Sequence, residues 1–567
     1  MADLLRSVIW SEQPHNVARI PSRQGLTSRW RIGWPDLAIL GFLLTAGGSF
    51  WAAYDRTSAG AKFLAITFAI AIYYSLAKSA LPGLWKAAIL SGALTSVVAG
   101  LVVLAGVAGK LPAITVAATP VGRGTLALAA LDGDTATGLL AVLLPFQVAA
   151  AIYARQQGAR WEQVAWISGC LLSAGALLAG NSRGAVVAST LAGGLVLWRL
   201  RIARARPMAR RTTLAVLLGS VLAVVAAIAL SGGVAGAWET IQSRLQLAQE
   251  GLWLAEDFRL IGGGLGSFPG LYSRYILIQP NPFFSRSYNL FLDLTIEQGL
   301  LALASYLGIC VGSLWALAAQ RPWLLGSRRV RLIQGAAAAS VLTVLTLGWV
   351  HDPFSEPLGA LFLFLGPGFV ASLRRFPDQV PGGPKPNSSG HRLSPIRVGA
   401  LVMVSVMAIG LWPWHQLPAN LWANWGAVRL AQIELEDWPD RTGRIGDAAS
   451  EMAAVKRWLE SSLAWDPFNR TANYRLGLVA LDQDDFVRAA EYLERAWAEG
   501  EEHRGVRKAL GYSYVWLGRL DLAEQMLGPI PEASRELRVY ARRWSDRGRP
   551  DLAAWAATLS SRLDASG

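Results

Sequence analysis

Charge is what this chain runs short of. Only 16% of its 567 residues are Asp, Glu, Lys or Arg, where a soluble globular protein carries about 25%, so an ordinary soluble domain is excluded. Cysteine is nearly absent. Cys170 and Cys310 both fall in apolar stretches and read as small buried hydrophobes rather than as a disulfide or metal site. The five histidines, His15, His351, His391, His415 and His503, show no ligand spacing, so no metal or cofactor is expected. A cleavable signal pattern is also lacking: the N-terminus is polar for over thirty residues, which leaves the first apolar run to act as an uncleaved anchor.

What is abundant is apolar length. Hydrophobic residues make up 53% of the chain, mean hydropathy is +0.33, and apolar runs long enough to cross a bilayer recur. The chain reads as an all-α polytopic membrane protein of about eleven spans, near 34–53, 61–80, 84–108, 135–153, 161–180, 184–199, 213–234, 298–318, 333–350, 356–373 and 398–414. A formal net charge of +14 would suggest a nucleic-acid partner in a soluble chain. Here the basic residues lie in short loops, including the N-terminal tail, 199–211, 321–331 and 374–397. Placing these inside puts about 24 Lys and Arg on the inner side and about 8 in the outer loops, as the positive-inside rule requires. No nucleic-acid partner is expected. The tail 1–33 is then cytoplasmic, 34–414 is the membrane domain, and 415–567 lies outside.

That orientation sends three polar sites to one outer surface: Asn181-Ser-Arg-Gly184, the large loop 235–297, and Val350-His-Asp-Pro353. Arg183 is read either as a guanidinium aimed at a phosphate or diphosphate, or as an interfacial arginine that snorkels. Arg244 lies on an amphipathic stretch ending near Asp257, either toward a ligand or on a solvated helix face. Gly262-Gly-Gly-Leu-Gly-Ser-Phe268 follows no strand of a βαβ unit, so it is no nucleotide loop; it reads as a turn or hinge. Tyr288, Asn289, Asp293 and Glu297 would suit orientation and deprotonation of a sugar hydroxyl, or else an aromatic belt residue beside a helix cap. His351 is a further candidate proton acceptor. The carboxylates at 293 and 297 interrupt the approach to the eighth span, which predicts an interfacial or re-entrant lead-in.

Beyond residue 415 the pattern changes. Leu476-Gly477 returns 34 residues later as Leu510-Gly511, and Phe486 and Ala489 return as Leu520 and Ala523. This is a tetratricopeptide-like period, with a partial unit near 448–463 and a degenerate one near 542–563. Stacked helix pairs of this kind offer a concave surface to a protein partner.

Ser182-Arg183-Gly184, Arg244, Gly262-Gly-Gly-Leu-Gly-Ser-Phe268 and Tyr-Asn-Leu-Phe-Leu-Asp-Leu-Thr-Ile-Glu-Gln-Gly-Leu at 288–300, in that order, resemble the O-antigen ligase / Wzy-type polymerase superfamily over about 35–375. The resemblance implies a metal-independent, glycosyltransferase-C-like enzyme of the bacterial inner membrane. It would pass a glycan from an undecaprenyl-diphosphate carrier to a glycan, lipid or protein acceptor. Arg183 and Arg244 match the arginines that hold the diphosphate in that family. Tyr288 stands where the family has histidine, and a phenol titrating near about pH 10 is a poor base at neutral pH. His351, Asp293 or Glu297 then takes the proton, or the activity has diverged. Residues 132–137 also replace an expected Asn-Pro-Asn-like stretch. Two other readings are a carrier of a small anion such as bicarbonate, which needs polar residues deep in the spans, and a scaffold recruiting partners through its repeats. Mid-span polar residues are mostly Ser, Thr and Gly, which favours the surface site.

Overall fold

The computed structural model describes residues 34–107, 114–121, 124–131, 133–179, 183–202, 233–278, 284–319, 328–373, 395–411, 414–436, 438, 448–497 and 503–566. Helices dominate. The one two-stranded element among the described residues is an antiparallel hairpin, β1 (Ile114–Val121) and β2 (Gly124–Leu131), an addition to the all-α architecture expected.

Among the described residues six helices are long and apolar enough to cross a membrane: α1 (Trp34–Ala52), α2 (Arg56–Lys78), α3 (Leu81–Val107), α4 (Gly133–Gln157), α10 (Leu300–Ala319) and α11 (Arg328–Leu347). A bent pair, α14 (Pro395–Gly410) with α15 (Leu417–Glu434), brings this to seven if it is one span. Eleven were expected. Of the others, 213–234 lies almost wholly outside the described residues. The segment 161–180 forms α5 (Arg160–Ala179), and 184–199 forms α6 (Arg183–Ile202), apolar over only a short stretch. The segment 356–373 breaks into α12 (Pro357–Ala360) and α13 (Leu365–Leu373). The chain is a multi-pass membrane protein, with six or seven full-length spans among the described residues.

Between α6 and α10 lie α7 (Gly233–Asp257), α8 (Phe268–Tyr272), a π-helical turn Ser273–Leu277, and α9 (Leu290–Gln298). The expected lead-in to the eighth span is α9, and local chemistry sets both its ends. Asn289 caps it, its side chain accepting from the Phe291 and Leu292 amides at 3.0 and 3.1 Å, which satisfies donors left open by the first turn. Gly299 ends it at φ +83°, and a Cβ there would lie 2.5 Å from the Leu260 carbonyl oxygen. Only glycine fits both the angle and the space, so the chain breaks between α9 and α10 instead of continuing.

The C-terminal helices follow as α16 (Ala448–Trp465), α17 (Arg470–Asp482), α18 (Phe486–Trp497), α19 (Arg504–Trp516), α20 (Leu520–Leu527), α21 (Ala533–Asp546) and α22 (Pro550–Ser566). The 34-residue period has a packing cause. A Cβ on Gly477 would stand 2.6 Å from Leu493, and one on Gly511 would stand 2.6 Å from Leu527. The bare backbone lets each leucine seat on the preceding helix, over the fully buried Ala489 and Ala523.

Candidate functional site

Three segments far apart in sequence meet at one place. The Leu290 amide donates to the Gly348 carbonyl at 2.8 Å, and Asn289 Nδ2 donates to the Trp349 carbonyl at 3.3 Å. The N-terminus of α9 is thereby tied to the C-terminus of α11. A Cβ on Gly184 would come within 2.8 Å of Val350, and one on Gly138 within 3.0 Å of His351 Nε2. The start of α6, with Arg183 as its first residue, therefore abuts the 350–353 turn. His351 and Asp352 are buried there, and Asp352 Oδ1 accepts from the Phe354 amide at 2.9 Å. The Arg183 side chain lies outside the described residues.

Tyr288 is a platform in this arrangement. The Arg244 guanidinium carbon lies 3.6 Å from its ring centroid, and that of Arg286 lies 5.8 Å away. A cation at this range over a phenol ring gains about 0.5–2 kcal/mol. Tyr288 has φ 57°, an unusual backbone state for a bulky residue and one found mainly where the surroundings impose it. Of the alternatives open for Arg244, the plain solvated face is the one this packing disfavours: the residue is half-buried and stacked.

Beside the arginines opens a cavity of about 270 Å³. Its wall includes Ser58 and Lys62 from α2, Phe268, Ser285 and Arg286, Asp293 and Glu297 from α9, and Ser355. Arg286 Nη1 donates to Ser355 Oγ at 3.2 Å. Asp293 and Glu297, one helical turn apart, line the cavity as their i,i+4 spacing predicts. Glu297 pairs with Lys62 at 2.7 Å, with both side chains under a tenth exposed. Asp293 accepts from the Ser287 amide through Oδ1 at 3.1 Å. Its Oδ2 is buried with no hydrogen-bond partner among the described residues. Burial pushes the Asp293 carboxyl well above the usual carboxylate range; Asp352 and Glu297 push the same way, against the Ser287 amide and Lys62. Burial also raises Glu297, with Lys62 opposing.

Lys62 was not picked out from the sequence, where mid-span polar content read as Ser, Thr and Gly. A lone lysine in an apolar helix was the available signal, but its partner is 235 residues away along the chain. The glycine run is packed rather than hinged. The Gly263 and Gly264 amides donate to the Ile296 and Glu297 carbonyls at 2.6 and 3.1 Å. Gly264, at φ +109°, leaves no room for a Cβ beside Ala53. Arg274 turns away from the site and pairs with Glu434 at 2.9 Å and Asp482 at 2.6 Å.

A polytopic helical membrane protein with arginines, carboxylates and a hydroxyl-lined cavity at one junction is the class so defined. The family model described as O-antigen ligase matches residues 168–307, and a tetratricopeptide-repeat model matches residues 480–542. The family read from the motifs, with its C-terminal repeats, is borne out on these two stretches. The first match contains Arg183, Arg244, Tyr288, Asp293 and Glu297, and stops short of Lys62 and His351. No curated protein and no solved structure matches the chain.

Proposed function

We propose that the protein transfers or polymerises a lipid-linked glycan at the outer face of a bacterial inner membrane, taking it from an undecaprenyl-diphosphate carrier. The observation that carries this reading is the side-by-side placement of Arg244, stacked on Tyr288, and a cavity into which Asp293 brings an unpartnered carboxylate oxygen, all within the O-antigen ligase match. Arg183 and Arg244 hold the diphosphate. Their planar forks suit bidentate phosphate contacts, and charge placed where the leaving group develops supplies catalysis in a dry site.

The cavity takes the acceptor. Serine hydroxyls, carboxylates, one guanidinium and the Phe268 ring are the groups that recognise a sugar through hydroxyls and an apolar face. The acceptor hydroxyl oxygen attacks the anomeric carbon, the bond from that carbon to the diphosphate oxygen breaks, and the diphosphate departs on its lipid. Asp293 accepts the hydroxyl proton. A raised carboxyl is a stronger base than an exposed one, and its working range moves toward neutral pH. Glu297, committed to Lys62, orients rather than accepts, and Tyr288 serves as the arginine platform. His351 is buried against Gly138 and is not among the residues lining the cavity.

The test in cells is Arg183→Ala and Arg244→Ala at normal expression. Loss of surface glycan in both is expected; wild-type glycan in both removes the proposal.

A further inference from the structure

We infer that the groove of the helical repeats is built for a ligand carried in cis, residues 268–278 of the chain's own large loop, and that its task is to position α7, which bears Arg244. The contacts are those of a peptide groove reading main chain. Tyr474 donates its hydroxyl to the Tyr275 carbonyl at 2.7 Å, and Lys508 Nζ donates to the Leu277 carbonyl at 2.6 Å. A Cβ on Gly505 would fall 2.1 Å from the Tyr275 carbonyl oxygen, so the missing side chain is the seat for that carbonyl. Tyr474, Gly505 and Lys508 lie on α17 and α19, the first helices of successive pairs. Tyr272, Tyr275, Ile276 and Leu277 are buried in one cluster with Tyr474, Val506 and Leu510. This part of the repeat surface is occupied by the chain's own segment.

Charged pairs carry the same docking back along α7. Arg504 binds Glu250 at 2.9 Å, and Tyr272 donates its hydroxyl to the same carboxylate. Arg470 binds Glu256 at 2.5 Å, and Arg475 binds Asp257 at 2.8 Å. Glu250 lies six residues beyond Arg244, about 9 Å along the same helix at 1.5 Å per residue. Arg504 and Lys508 are therefore positioning residues: they touch no substrate and fix the helix that does. The docking stands on contacts alone; its consequence for Arg244 rests on the glycan-transfer reading.

The test uses the full chain in lipid nanodiscs, with backbone hydrogen exchange and transfer kinetics measured on the same samples. Variants are Arg504→Gln, Lys508→Met, their combination, and Arg504→Lys. In the wild type, exchange over 268–278 is expected to be as slow as in α19. In the combined variant it should rise at least tenfold with α22 unchanged, and KM for the lipid-linked donor should rise more than kcat falls. Arg504→Lys should restore part of both. Fast exchange over 268–278 in the wild type overturns the docking. Faster exchange in the variant with unchanged KM and kcat overturns the positioning role. A wild type inactive on every donor, yet slow to exchange, counts against the glycan-transfer reading and leaves the docking standing.

Discussion

Replacing Arg475 by Leu is the sharpest stability test of the junction between α7 and the repeats. The Arg475 and Asp257 side chains are 0% and 1% exposed and 2.8 Å apart. The guanidinium also lies 3.3 Å from the Tyr275 ring centroid. Removing one partner of a buried pair leaves an uncompensated charge and costs about 3–5 kcal/mol. That is roughly a 150- to 5,000-fold rise in local opening at about 1.36 kcal/mol per decade. Asp257 keeps Thr471 as a donor at 2.7 Å and Arg470 as a second cation at 4.0 Å, which places the loss toward the lower end. The partner variant Asp257→Asn leaves the opposite charge unpaired, and the double variant has no buried charge left. It should therefore be more stable than the sum of the singles by about 1–3 kcal/mol. Hydrogen exchange over 253–262 and 470–480 in nanodiscs measures all three. Single losses under about 1 kcal/mol that simply add would refute the idea that this pair locks the junction.

Four further outcomes are expected. Asp293→Asn should lower kcat by about 10²–10⁴-fold, the range for loss of a general base, with folding intact because Asn keeps the acceptor for the Ser287 amide. In the wild type, kcat should fall as pH drops through the raised Asp293 value. The stability this group contributes runs the other way: it is full below the unfolded value and lost as pH rises through the folded one. Lys62, Glu297 and Asp352 face the group throughout, and both dependences should flatten in Asp293→Asn. Tyr288→Phe should stay within a few-fold of wild type, since the ring is kept, whereas Tyr288→Ala should raise donor KM by about 2- to 30-fold, the worth of the stacked cation; a dead Tyr288→Phe would instead make the phenol a proton carrier. Gly299→Ala should destabilise by more than about 1 kcal/mol, read as a drop in thermal midpoint, because it meets both the positive φ and the Leu260 carbonyl.

Much of the architecture was legible because it rests on local periodicity. Apolar runs, the 34-residue Leu-Gly spacing and the Asn289 cap are properties of neighbouring residues. Asp293 and Glu297 could be placed together because four residues is one helical turn. Long-range pairings were not legible. Lys62 meets Glu297 across 235 residues, Arg475 meets Asp257 across 218 residues, and no spacing rule connects such partners. The same limit hid the contacts of the repeats with the chain's own 275–277 segment, where Tyr474 and Lys508 bond the Tyr275 and Leu277 carbonyls. The span count differs for another reason: among the described residues the apolar stretch 356–373 is broken between Ala360 and Leu365, which a hydropathy window reads as continuous, and 213–232 lies outside them.

Purified protein in nanodiscs, given a defined undecaprenyl-diphosphate glycan and a sugar acceptor, decides whether glycan transfer and release of the lipid diphosphate occur together. The expected result is equimolar transfer and release in the wild type, lost in Arg244→Ala and in Asp293→Asn. Transfer at the wild-type rate in both variants would remove Arg244 and Asp293 from the reaction.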